Sequence, residues 1–106
     1  MGSGGRLDTG TAGHPVTPGS LRGVVGRIVH HYQIAAELTG YVVTPAGQGW
    51  TLAAVLESPE TTDAYLLAQT PLVFIAPHKR GAWRWPIESI TVGDGTVRAR
   101  LGARLE

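Results

Sequence analysis

From residue 41 onward, short apolar runs alternate with turns that carry glycine or proline. Residues 41–44 (Tyr-Val-Val-Thr) are β-rich, residues 45–49 (Pro-Ala-Gly-Gln-Gly) read as a turn, and residues 50–56 resume an apolar strand. This spacing predicts a hairpin with a loop of about five residues. Residues 72–76 (Leu-Val-Phe-Ile-Ala) are a continuous apolar run of strand length, read as the central and most buried strand. Residues 77–81 form a turn, and the strand that resumes at Ala82 meets Pro86. Proline lacks an N–H and so belongs at an edge, a bulge or a bend. Residues 87–92 and 96–101 flank Gly93-Asp94-Gly95. An Asp-Gly pair between β-branched runs predicts a tight hairpin, with room for a bulge at a glycine. In the last strand Thr96, Arg98 and Arg100 share one face and Val97, Ala99 and Leu101 the other, the pattern of a strand with one side in solvent.

Two stretches admit two readings. In residues 21–38, Leu21, Val25, Ile28, Tyr32 and Ala35 follow helical spacing. Gly23 and Gly26 would each cost a helix about 1 kcal/mol, and the β-branched content favours a strand. A long strand bent at Gly26 is therefore preferred over a helix, with residues 35–38 as a helical turn ending at Gly40. In residues 58–69, Ser58-Pro59 resembles a helix N-cap followed by proline in the first turn. Residues 64–68 also suit a returning strand, which is the preferred reading. The sum is six or seven short strands in sequential hairpins. A single small sheet would leave its edges and one face uncovered, so closure is expected. The predicted fold is all-β, a small antiparallel β-barrel or β-roll; an α+β arrangement with residues 21–38 helical is the alternative.

Residues 1–20 hold six Gly, two Pro, two Ser and three Thr without apolar periodicity, and are read as a flexible tail ahead of one β-domain at 21–106. The start of the chain lacks the apolar stretch of a secretory signal, and no apolar run is long enough to span a bilayer. A cytoplasmic protein without membrane contact is expected. The chain has no cysteine, which excludes disulfides, a thiol nucleophile and cysteine metal sites. Eight arginines to one lysine and no asparagine fit a GC-rich, bacterial gene. Net charge is +1 but uneven: residues 77–106 carry six basic side chains against three acidic ones. That excess is smaller than nucleic-acid-binding domains usually carry.

Catalytic and metal signatures are weak. Adjacent His30 and His31 would point to opposite faces of a strand, and no metal-ligand spacing occurs. No serine sits in a nucleophile elbow, and neither glycine turn matches a phosphate loop. No cofactor or metal is expected, nor a catalytic residue. The strongest constellation runs through His78, Lys79, Arg80, Trp83, Arg84 and Trp85, with Arg98 and Arg100 on a nearby strand. Alternation places Trp83 and Trp85 on one face and Arg84 on the other. The indoles would fill the core or cover a barrel end. Alternatively, tryptophan and arginine together suit a protein interface, and an aligned stripe of Arg84, Arg98 and Arg100 would suit single-stranded nucleic acid. The expected function is a non-catalytic, protein-binding or structural module: a homo-oligomer or an accessory subunit of a larger bacterial or phage assembly. A nucleic-acid-binding barrel is one alternative. A small-ligand binder or enzyme with a pocket near His30, Tyr32 and Trp50 is another.

Overall fold

The computed structural model describes residues 19–105. The predicted tail therefore lies outside the described residues except for Gly19 and Ser20. Seven strands follow: β1 (Leu21–Gly23), β2 (Gly26–His30), β3 (Gln33–Ala46), β4 (Gly49–Leu56), β5 (Leu72–His78), β6 (Gly81–Gly93) and β7 (Thr96–Leu101). Six of them close an antiparallel barrel in the order β2-β3-β4-β7-β6-β5, with β5 pairing back onto β2; β1 is an extra strand on β3. The expected all-β barrel is the observed fold, and the helical alternative for residues 21–38 is excluded. Two strands are longer than foreseen, β3 at 14 residues and β6 at 13.

The barrel consists of two three-stranded meanders, β2-β3-β4 and β5-β6-β7, joined along two seams. One seam pairs β2 with β5, from Arg27 opposite Ile75 to His30 opposite Leu72. The other pairs β4 with β7, from Trp50 opposite Leu101 to Val55 opposite Thr96. Ile28, Val43, Leu52, Phe74, Trp85 and Leu101 fill the interior and are essentially inaccessible to solvent. Gly49 sits where the second seam begins, and a side chain there would meet the Leu101 carbonyl oxygen at 2.5 Å. At Gly23 the Tyr41 phenol occupies the place a Cβ would take. Burial there pushes the Tyr41 phenol above its ordinary pKa.

The structure corrects several local expectations. Residues 21–38 are not one strand: β1 and β2 lie along the same side of β3, interrupted at Val24 and Val25, and the chain then reverses at His31-Tyr32. His31 takes φ 57, a left-handed conformation usually left to Gly, Asn or Asp. Residues 35–38 belong to β3 and form no helical turn. The loop expected at 45–49 shrinks to Gly47-Gln48, because Pro45 and Ala46 pair with Trp50 and Gly49. The preferred strand at 64–68 is instead a short helix, α1 (Ala64–Leu67), preceded by a 3-10 turn at Pro59–Thr61. Ser58 caps the 3-10 turn, and the Asp63 carboxylate accepts from the Leu66 N–H at 3.0 Å. Backbone bonds from Glu57 N–H to Glu37 O (2.9 Å) and Asp63 N–H to Ala35 O (2.7 Å) lay this segment against β3. Asp94-Gly95 turns as foreseen, with φ 54 and 75. The exchange of β6 from β5 to β7 falls at a bulge between Ile87 and Ser89, next to Pro86.

Candidate functional site

The basic and indole-bearing segment divides between the inside and the outside of the barrel. β5 runs through to His78 and β6 starts at Gly81, so Lys79 and Arg80 form a two-residue exposed turn. The Arg80 N–H donates to His78 Nδ1 at 3.1 Å. His78 and Trp83 pack at one barrel end with ring centroids 4.4 Å apart, and the Arg104 guanidinium lies 6.0 Å from the Trp83 ring centre. Trp85 is 2% exposed, stacked on Phe74 at 5.6 Å and edge-on to Trp50 at 5.9 Å. Its Nε1–H is buried without a hydrogen-bond partner. Both indoles thus serve the barrel interior, and Trp85 presents no surface.

The arginines do not form one stripe. Arg84 projects outward from β6 between Ile75 of β5 and Leu105, whose N–H donates to the Arg84 carbonyl at 2.7 Å. Arg98 and Arg100 project from β7 beside Thr91 and Ser89 of β6. Four residues of β6 lie between Arg84 and Ser89, which are thus roughly 16 Å of extended chain apart. Glu88 lies between, 3.9 Å from Arg100. The face around Arg98 and Arg100 is mostly polar: Thr51 and Ala53 of β4 oppose them on one side, Ser89 and Thr91 on the other.

The outside of the β2–β5 seam has the opposite character. Antiparallel pairing puts directly opposed residues on the same face. One row reads Ile34, Val29, Val73, Pro86 across β3, β2, β5 and β6. The next row reads Glu37, Arg27, Ile75, Arg84, Leu105. None of Ile34, Val29, Val73, Ile75 and Leu105 belongs to the interior cluster. Val29 is only 9% exposed, covered by its outer neighbours, while Ile34 and Leu105 are exposed and Tyr32 fully so. With Tyr32, His31 and Arg84 these residues line a shallow groove of about 400 Å³. The apolar run at 72–76, read from sequence as buried, is buried on its inner face alone: Leu72, Phe74 and Ala76 point inward, and Val73 and Ile75 are half-exposed. Strands apolar on both faces are normally covered on both.

A second concavity adjoins this groove through Ile34, lined also by Glu37, Glu60, Thr62 and Asp63. Glu37 lies 3.8 Å from Arg27, an ion-pair distance too long for a hydrogen bond, and Arg27 Nε is otherwise unpartnered. The pocket expected near His30, Tyr32 and Trp50 is not assembled. His30 Nδ1–H donates to the Pro71 carbonyl at 3.0 Å, Tyr32 stands at the β2–β3 turn, and Trp50, opposite Pro45 near the other end of β3, packs on Trp85. The two adjacent histidines do not point apart as a strand would require; the turn at His31 brings their rings to 4.3 Å. Among the described residues no group of three His, Asp or Glu is placed to hold a metal ion. No described helix is long and apolar enough to cross a membrane. Comparison with known protein families, curated proteins and solved structures finds no match to this chain.

Proposed function

We propose that this chain is a non-catalytic protein-binding module, a homo-oligomer or an accessory subunit of a bacterial, cytoplasmic assembly, and that it binds through the outer face of the β2–β5 seam. The observation that carries this reading is the row Ile34, Val29, Val73, Pro86 with Ile75 beside it: adjacent apolar side chains turned away from the interior. Single exposed apolar residues are ordinary, but a contiguous set rimmed by polar groups is the mark of an interaction surface. Arg84, Tyr32 and His31 supply such a rim. The contact region expected from sequence at residues 78–85 contributes Arg84, with Lys79 and Arg80 at the neighbouring turn.

Nucleic-acid binding ranks second. Arg98 and Arg100 stand side by side on a hydroxyl-bearing face, which suits phosphate, but the faces of Trp83 and Trp85 serve the interior and leave no stacking platform beside them. The test is a tagged full-length chain incubated with lysate of the source organism, with and without nuclease, beside an Ile75→Glu variant. Protein captured after nuclease treatment and lost with Ile75→Glu supports the proposal. Recovery that collapses with nuclease, or with Arg98→Glu plus Arg100→Glu, replaces it with the nucleic-acid reading.

A further inference from the structure

We infer that the occupant of the β2–β5 face is a second copy of this chain, docked about a two-fold axis; the inference rests on the protein-binding reading above. The reason is the order of charges across the face. Going from β3 to β6, the surface begins acidic, with Glu60 and Asp63 beside Ile34 in the adjoining concavity. Its middle is apolar, Val29 and Val73 in one row and Ile75 in the next. It ends basic, with Arg84 beside Leu105. Arg27, in the middle, faces its own Glu37 at 3.8 Å and leaves little net charge there.

A two-fold axis through the β2–β5 seam exchanges the β3 side with the β6 side. Each copy's Arg84 then faces the other's Glu60 and Asp63, and the apolar rows meet at the centre. An isologous contact needs this self-complementarity, in which residue i meets j and j meets i. A strand-to-strand spacing of about 4.8 Å sets β3 and β6 roughly 14 Å apart along the sheet, with the apolar strip between them and the acidic segment beyond β3. A patch of one sign would repel its own copy; this one carries both signs at opposite edges.

The experiment measures mass by sedimentation and light scattering across a concentration series, on the full chain and two single variants, Arg84→Glu and Glu60→Arg. Both positions are exposed, and circular dichroism checks that each variant folds. The wild type is expected to reach twice its 11.2 kDa chain mass. Each reversal places like charges together at both ends of the dimer and is expected to weaken it by about tenfold or more. Mixing the two variants restores complementarity at both ends. At one end the two introduced charges meet with opposite sign; at the other, the Arg84 retained by one chain meets the Glu60 retained by its partner. The mixture should regain the wild-type dimer affinity.

A wild type that stays monomeric up to its solubility limit overturns the second-copy inference; capture of a heterologous protein lost with Ile75→Glu would still uphold the binding reading. Absence of both removes the reading as well. A dimer indifferent to the reversals uses another surface. A dimer broken by each reversal yet not restored by mixing lacks the two-fold arrangement. Each of the last two results also overturns the inference.

Discussion

The two seams that close this barrel perform the same structural task and differ in what they show to solvent. At the β4–β7 seam the inward side chains are Leu52, Ala54, Val97, Ala99 and Leu101, and the outward ones are Thr51, Ala53, Val55, Thr96, Arg98 and Arg100. On β7 apolar and polar residues alternate cleanly, as expected when one face of a strand is wet, while β4 turns Ala53 and Val55 outward opposite Arg98 and Thr96. At the β2–β5 seam the inward side is equally apolar, with Ile28, Leu72 and Phe74, but the outward side, apart from Arg27, repeats it with Val29, Val73 and Ile75. Closure of the barrel requires only the inner set. Closure does not account for the outer apolar set at β2–β5. That difference is the physical ground for proposing the interface on one side of the molecule rather than the other.

The largest effect should come from the side chain beneath both seams. Trp85 touches Phe74, which lies opposite Ile28 across one seam, and Trp50, which lies opposite Leu101 across the other. Trp85→Ala should cost about 3–5 kcal/mol by chemical denaturation. Trp85→Phe should recover part of this, because it keeps a ring on Phe74 and removes an indole N–H that has no partner. A loss from Trp85→Ala no greater than that of a surface substitution would mean the seams are not tied together from inside.

The next effect should be confined to one seam. Gly49→Ala brings a methyl to 2.5 Å from the Leu101 carbonyl oxygen, and the backbone must shift. A cost of about 1–3 kcal/mol is expected, the range for overpacking. Gly93→Ala meets nothing within 4 Å and is the matched control. Native-state hydrogen exchange should show faster opening of amides along β4–β7 in Gly49→Ala, with those along β2–β5 unchanged. Equal loosening of both seams would show that the barrel opens as one unit.

How much of this was legible in the sequence depends on whether the signal was local. Asp94-Gly95 fixes its turn by its own φ preferences, and the alternation of Val97, Ala99 and Leu101 fixes the face of β7. The shared face of Trp83 and Trp85 followed from the same period of two. His31-Tyr32 carries no such signal: a histidine in the left-handed region is held there by the pairing of β2 with β3, which no local pattern reveals. The segment at 58–69 suits helix or strand by composition, and backbone bonds to Ala35 and Glu37, far back along the chain, accompany the helical choice. The apolar run at 72–76 was visible, but its meaning was not. Continuous apolarity suggests a strand covered on both faces, whereas in this chain the outer side chains Val73 and Ile75 are half-exposed. Nor could the sequence show that the bulge at Ile87 and Ser89 and the intervening Glu88 would keep Arg84 apart from Arg98 and Arg100.

A paired substitution on the two outer faces tests the comparison most directly with a smaller effect on stability. Ile75→Glu and Ala53→Glu each place a carboxylate at an outward position, one on each seam. Outward positions usually tolerate such changes with small changes in unfolding free energy. Association, read as mass in solution or as captured protein, should fall with Ile75→Glu and persist with Ala53→Glu. The reverse outcome would move the interface to the polar seam.

The smallest effect should come from the charges on that polar seam. Arg100 and Glu88 approach to 3.9 Å, and both side chains are close to half exposed. Exposed pairs of this kind contribute about 0.2–1 kcal/mol and are screened by salt. Arg100→Ala should therefore lower the denaturation midpoint only slightly at low salt and not measurably at high salt, with no effect on association. A large or salt-insensitive loss would mean that Arg100 holds β7 against β6 at the bulge, where Ile87 and Ser89 flank Glu88, and that the polar seam is a structural clasp. A small loss leaves Arg98 and Arg100 as ordinary solvated charges on this side of the barrel, opposite the side proposed to bind.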